Sequence, residues 1–158
     1  KKEIILGIAD IPALDERYIG YSNLSYKIIK GKKSKLKTRN TVKLKESILN
    51  TTSPYVFANK YDQRIFEELV KDVKTVRLGG DCYSYCLLAD GHVDIVLESG
   101  LKAWDIRALE PIIKNAGGEL KTWEANNIFN GGRIVAAANK TLFKKTRIKL
   151  IKKKPSYK

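Results

Sequence analysis

The chain has 158 residues, 43% of them hydrophobic and 30% charged, with a formal net charge of +14. That much apolar residue can bury enough surface to offset chain entropy, which excludes disorder over the whole length, and the length suits one domain. The longest apolar runs, such as Ile134 to Ala138, are far too short to span a bilayer, and Cys82 and Cys86 are too few for a disulfide scaffold.

Three short strands are expected first, over Glu3–Ile11, Glu16–Tyr21 and Leu24–Lys30, divided by Pro12 and by Ser22-Asn23. The apolar run Leu44–Leu49 leads into Thr51-Thr52-Ser53-Pro54, where proline discourages a helix. Ile65, Phe66, Leu69 and Val70 fall at helical spacing within Tyr61–Val70, and a strand Val73–Leu78 then reaches Gly79-Gly80-Asp81. A helix follows with Cys82, Tyr83, Cys86 and Leu87 as one stripe, which predicts two reduced thiols packed in the core. It ends at Gly91, and His92–Glu98 alternates as a strand with one fully apolar face.

The next helix opens at Trp104-Asp105, buries Ala108, Leu109, Ile112 and Ile113, and stops at Gly117-Gly118, with a kink predicted at Pro111. Strands Glu119–Trp123 and Arg133–Ala138 come next, and then a last helix capped near Asn139 that buries Leu142, Phe143, Leu150 and Ile151. Strands alternating with helices argue for an α/β layered domain over residues 1–151, followed by a basic tail, 152–158.

The charge is uneven. Lys27 to Lys45 and Lys140 to Lys158 each hold nine basic residues and no acids, leaving 13 basic against 17 acidic side chains elsewhere. Such runs could meet a phosphate polymer or an anionic membrane surface, but lysines outnumber arginines 24 to 7 and aromatic interleaving is nearly absent. A solvated hairpin and a solvated helix face are the expected roles, and nucleic-acid binding is the weaker alternative. No charged segment followed by an apolar one opens the chain, so a cytoplasmic location with no membrane partner is expected. The chain has no methionine and opens Lys1-Lys2-Glu3, as expected of a piece of something longer.

No P-loop follows the glycine pairs, and the two cysteines lack zinc-knuckle spacing. His92, the single histidine, reads as a surface or turn residue. What remains is a carboxylate set: Asp81, Asp94, Glu98 and Asp105. Three of them fall at element ends, where an α/β fold gathers ligand groups, and such carboxylates suit a hard cation such as Mg²⁺. Helix capping and solvation are the alternatives for each taken singly.

The stretch Gly79-Gly80-Asp81-Cys82-Tyr83, continued through Asp94, Glu98 and Trp104-Asp105 to Ala116-Gly117-Gly118, resembles the C-terminal signature of the inositol monophosphatase family. Its Gly-Asp-Cys-Tyr variant is similar to the histidinol-phosphatase branch, and Ala9-Asp10-Ile11-Pro12, Thr51-Thr52-Ser53-Pro54 and Ala136-Ala137-Ala138-Asn139 fit as well. The resemblance implies the C-terminal portion of a layered αβαβα sugar-phosphatase-like fold, a mixed sheet flanked by helices. It also implies Mg²⁺-dependent hydrolysis of a small phosphate ester, histidinol phosphate or an inositol or polyol phosphate.

By that resemblance Asp105 ligates metal and touches substrate, Glu98 contacts the substrate's polar groups, and Gly79, Gly80 and Asp81 form the loop and helix start beside it. The family's Asp-Pro-Ile/Leu-Asp-Gly-Thr motif and the Glu-Glu pair upstream of it are not in this sequence, so weak or absent metal binding is expected of the chain alone. The implied partners are a small phosphorylated substrate and either the missing N-terminal half or a second copy. Arg107 and Ala125 depart from the family pattern, Ala125 standing where glycine is usual, which motivates an alternative: an inactive remnant or assembly module.

Overall fold

The computed structural model describes residues 3–57 and 59–151, so the basic tail 152–158 lies outside the described residues. Two sheets result. Strands β1 (Leu6–Ile11), β2 (Glu16–Tyr21), β3 (Leu24–Ile29) and β4 (Lys32–Lys35) form an antiparallel meander in that order. The first lysine run thus begins as a hairpin, with Lys30 and Gly31 at its turn.

The second sheet has five strands, in the order β6 (Thr75–Leu78), β5 (Ile48–Thr51), β7 (Ile95–Leu101), β9 (Gly132–Ala137) and β8 (Glu119–Thr122). Within it β5 runs parallel to β6 and β7, whereas β9 is antiparallel to β7 and β8. This is the mixed sheet that the sequence led us to expect. Among the described residues five α-helices accompany it: α1 (Lys60–Val70), α2 (Asp81–Ala89), α3 (Ala103–Ile106), α4 (Leu109–Asn115) and α5 (Lys140–Leu150).

Two cores separate the layers. Between the sheets, α2 and α4 contribute Tyr85, Cys86, Leu88, Leu109, Ile112 and Ile113, which pack with Ala9 and Tyr18 of one sheet and Val96 and Ala136 of the other. On the far side of the mixed sheet, Phe66 and Leu69 of α1 and Leu142, Phe143 and Leu150 of α5 meet Leu49, Ile95, Leu97 and Val135. The layers therefore run β-α-β-α, four of the five in the αβαβα order. Strand β7 is central and buried on both faces from Ile95 to Ser99, so the single apolar face expected there is replaced by two covered ones.

Close approach sets the inner layer. A Cβ on Gly20 would lie 2.3 Å from the Ile112 nitrogen, and one on Gly7 would lie 1.8 Å from the Ala108 carbonyl oxygen. Only glycine lets α4 seat its backbone on the meander there. The hydroxyl of Ser25 on the same face donates to the Ile112 carbonyl at 2.8 Å.

Several local expectations change in the structure. The helix expected from Trp104 to Ala116 is two helices, broken at Arg107-Ala108, and Pro111 falls in the first turn of α4, where a missing N–H costs nothing. The stripe expected on α2 is rotated: Ser84, Tyr85, Cys86, Leu88 and Ala89 are its buried residues, and Cys82 is exposed. Core packing therefore holds for Cys86 and not for Cys82. Ile151 is also exposed, at the end of α5. Asn139 does cap α5, its side chain accepting from the Leu142 N–H at 2.9 Å.

Candidate active site

The parallel strands dictate where a site can form. From β5 the chain crosses through α1 to β6 on one side, then returns through α2, on the opposite face of the sheet, to β7 on the other side. The strand order reverses at β5, and a crevice opens beyond the carboxyl ends of β5, β6 and β7, as it does at the switch points of open α/β sheets. A cavity of about 390 Å³ lies there, lined by Thr52, Val56, Asp81, Cys82, Tyr85, Glu98, Leu101 and Asp105.

Each polar wall has a local cause. Gly79 and Gly80 follow β6 with φ of 90° and 108°, and α2 begins at Asp81, itself at φ 41°. A side chain on Gly80 would strain the backbone and meet the Ser84 hydroxyl, which donates to the Gly79 carbonyl at 3.0 Å. The turn presents Asp81, Cys82 and the start of α2 to the cavity; the Tyr83 and Ser84 N–H groups donate back to the Gly80 carbonyl at 2.7 and 3.3 Å, while the amides of Asp81 and Cys82 precede any i−4 carbonyl of the helix.

Glu98 sits near the end of β7, where the pairing with β9 shifts register between Glu98 and Leu101. It is 3% exposed, so its carboxylate needs donors, and three are in place. The Thr52 N–H and hydroxyl donate to Oε1 at 3.1 and 2.5 Å, and the Tyr85 hydroxyl donates to Oε2 at 2.9 Å. Oε2 keeps acceptor capacity beyond that bond. Burial first, and the charge of Glu98 second, hold the Tyr85 phenol well above its usual range, so it remains a donor.

Asp105 is the third residue of α3, and its Oδ2 accepts from the Lys102 N–H at 2.7 Å. The helix-start role expected of it is thus present, and the same side chain lines the cavity. Burial, then the neighbouring Asp81 carboxylate, raises the Cys82 thiol above its ordinary range.

Of the carboxylates singled out in the sequence, Asp81, Glu98 and Asp105 converge and Asp94 does not. Asp94 precedes β7 at its opposite end, fully buried, accepting from the Ile48 N–H at 2.8 Å and ion-paired with Arg39 at 3.0 Å. His92 is exposed, with Nε2 3.1 Å from Asp90 Oδ2. Thr52 and Tyr85 were missed as site residues. Thr52 could have been found, because it directly follows a strand whose carboxyl end faces the crevice. Asp62 was also missed. It is buried on α1, accepts from the Ser99 hydroxyl at 2.6 Å and pairs with Arg133 at 3.2 Å, which ties α1 to the strand end carrying Glu98.

The two departures from the family pattern differ in kind. Arg107 donates from Nε and Nη2 to the Phe129 carbonyl at 2.9 and 2.5 Å, which fastens the 124–131 loop to the end of α3. Ala125 stands at φ 68°, a conformation that suits glycine.

A divalent cation here would draw on carboxylate oxygens. Asp105 has one carboxylate oxygen beyond its helix-start bond, and Asp81 adds another carboxylate. Among the described residues, however, no group of three or more His, Cys, Asp or Glu side chains is disposed to hold a metal ion. An octahedral Mg²⁺ cage is not completed by these residues. No helix among the described residues is long and apolar enough to cross a membrane.

Fold and site together define a layered α/β protein with a carboxylate-walled crevice at a switch point. The chain belongs to the inositol monophosphatase family, which it matches over residues 1–155. It is 41% identical over 123 residues to the chloroplastic bifunctional phosphatase IMPL2 of Arabidopsis thaliana, covering 78% of this chain and 34% of that protein. It is 30% identical over 133 residues to a histidinol-phosphatase of Mycobacterium tuberculosis, covering 83% of this chain and 51% of that one. A solved inositol monophosphatase from Zymomonas mobilis superposes with a TM-score of 0.85 at 34% identity, over 92% of this chain and 57% of that one. The chain thus spans about half or less of the curated relatives' length.

Proposed function

We propose that this chain forms the substrate-holding part of a phosphomonoesterase acting on a small phosphorylated alcohol, histidinol phosphate or an inositol or polyol phosphate. The observation that carries it is the convergence of Asp81, Glu98 and Asp105 on one cavity beyond the parallel strand ends. Family membership supports the reaction class.

The side chains suggest a division of labour. Glu98, held by three donors, offers its remaining acceptor capacity to hydroxyl or ammonium groups of the alcohol. The Asp81 and Cys82 amides at the start of α2 are the backbone donors offered to the phosphate. Asp105 keeps one oxygen for a cation or for substrate. Three carboxylates around one cavity repel a phosphate dianion, so an incomplete cation site here points to further ligands from outside these residues.

The test combines this chain with the part of a family member that it does not span, adds Mg²⁺, and follows phosphate release from histidinol phosphate and inositol monophosphate. Release that Asp105→Ala abolishes is the expected result. No release from the reassembled pair would overturn the proposal and leave the inactive-module alternative. Nucleic-acid binding has less support, because basic residues of both runs are engaged internally: Lys27 with Asp90, Arg39 with Asp94 and Lys149 with Asp72.

A further inference from the structure

The two basic runs lie far apart in the sequence and meet in the structure. The Asn139 side-chain amide donates to the Thr41 carbonyl at 2.9 Å and the Lys145 ammonium to the Val42 carbonyl at 2.8 Å, so the segment leading from β4 to β5 lies along α5. Lys37, Lys43 and Lys45 of that segment and Lys140, Lys144 and Lys145 of the helix are exposed, with Glu46 paired to Lys43 among them. The solvated roles expected of each run singly change once the two share a face. That face is remote from the crevice: Asn139 follows the end of β9 that pairs with the start of β7, whereas Glu98 pairs with Ile134 toward the other end.

The exposed side of α5 is not only polar. Lys140, Lys144, Arg147, Ile148 and Ile151 recur at i, i+4, i+7, i+8 and i+11, which is one helical stripe. Ile148 is 59% and Ile151 48% exposed, and Val42, beside Lys145, is 41% exposed. A groove of about 510 Å³ runs beside the stripe, lined by Glu119 of β8 with Lys140, Phe143, Lys144, Arg147 and Ile148. Three cations outweigh Glu119 there, so the groove selects an anion. Among the described residues Arg147 Nε is buried with no hydrogen-bond partner, which leaves it in need of an acceptor. Nucleic acids are held with arginine and aromatic stacking, but residues 37–46 contain no aromatic side chain and Phe143 is buried. Lysines interleaved with exposed aliphatics on a helix instead match an anionic bilayer, where headgroup phosphates meet the cations and the aliphatics enter the acyl boundary.

We infer that this face docks the chain on an anionic phospholipid surface: Lys140, Lys144 and Arg147 take headgroup phosphate in the groove, Ile148 and Ile151 enter the interface, and Lys37, Lys43 and Lys45 add attraction. The contact is peripheral and leaves the crevice uncovered. It revises the expectation of no membrane partner, goes beyond the catalytic proposal and does not depend on it.

The experiment sediments the full chain with vesicles of phosphatidylcholine alone and of phosphatidylcholine mixed with phosphatidylserine, and titrates an RNA duplex and polyglutamate in parallel. Binding to the mixed vesicles and not to phosphatidylcholine is expected, weakening as salt rises. A lysine near an anionic surface is worth about fivefold in partitioning, so Lys140→Gln with Lys144→Gln should weaken binding by at least about tenfold. Lys43→Gln with Lys45→Gln, in the other run, should cost about as much, and each pair decides alone should the other lower the melting temperature. Lys32→Gln with Lys33→Gln removes the same charge from the hairpin, off this face, and should weaken binding by less than about threefold. Ile148→Ser with Ile151→Ser should weaken vesicle binding by about tenfold and leave RNA and polyglutamate binding unchanged. No binding to the mixed vesicles, equal binding to phosphatidylcholine, a hairpin pair that costs as much as the α5 pair, or vesicle binding indifferent to the isoleucine pair would each overturn the inference. So would tighter binding, per negative charge, to RNA or to polyglutamate, because a nucleic acid or an acidic protein would then be the occupant. Phosphate release by the reassembled pair is a separate readout, so the failure of either reading leaves the other standing.

Discussion

Replacing Glu98 by alanine and by glutamine separates its role in stability from its charge. Alanine removes the acceptor of three hydrogen bonds. Tyr85 is 1% exposed, so its hydroxyl would be left unpaired without water, at a cost of about 1–3 kcal/mol. The Thr52 groups line the cavity and can turn to water, so their loss costs less, and about 0.8 kcal/mol is added for the buried methylene removed. The net expectation is a destabilisation of about 2–4 kcal/mol. Glutamine keeps an oxygen for Thr52 and presents an amide that the Tyr85 hydroxyl can accept, while the bonds lose their charge assistance, for about 1 kcal/mol. Urea unfolding followed by Trp123 fluorescence measures both. The sharper test is Tyr85→Phe in the Glu98→Ala background, which removes the orphaned hydroxyl and should recover about 1 kcal/mol. Equal costs for alanine and glutamine, or no recovery in the double variant, would refute the reasoning.

Ala125→Gly should stabilise the chain by about 0.5–1 kcal/mol, because alanine at φ 68° is strained and glycine is not, which thermal melting would show. Iodoacetamide at neutral pH should label Cys82 slowly, faster as pH rises, and leave Cys86 untouched until unfolding, since burial raises both thiols and Cys86 is buried; mass spectrometry of the labelled peptides checks this. Arg17 donates twice to Asp10 and holds its carboxyl below the usual range. The stability this pair contributes is therefore present above the ordinary carboxylate range and fades as pH falls through the lowered value, and Asp10→Asn should remove that part of the acid dependence of the urea midpoint.

Local pattern carried much of the fold. The first three strands of the meander, helices α1 and α5, the Asn139 cap and the Gly79-Gly80 turn were legible, because a period of two, a period of 3.6, a capping side chain and a glycine pair are local facts, whereas β4, a lysine-rich strand without apolar alternation, was not. The helix after Gly80 was legible but its buried side was not. Tyr83, Leu87 and Cys82 are as apolar as Tyr85 and Leu88, and only the neighbours decide which of them turn inward. The break at Arg107-Ala108 was likewise hidden, since the apolar spacing runs through it, and what holds the end of α3 is the contact of Arg107 with a loop 22 residues away.

By itself the sequence determined most of the elements, the family and the three carboxylates that line the cavity, since these follow from residue type and short spacing. The tertiary structure alone decided that Thr52 donates to a glutamate 46 positions on, that Asp94 lies at the far end of the strand from Glu98, and that β5 is the switch point where the crevice opens. Among the described residues it also left Leu6, Ile8, Tyr21 and Leu24, on the outer face of the meander, exposed. Alternating apolar residues read the same whether a face is covered or not, because periodicity records which way side chains point and not what they meet.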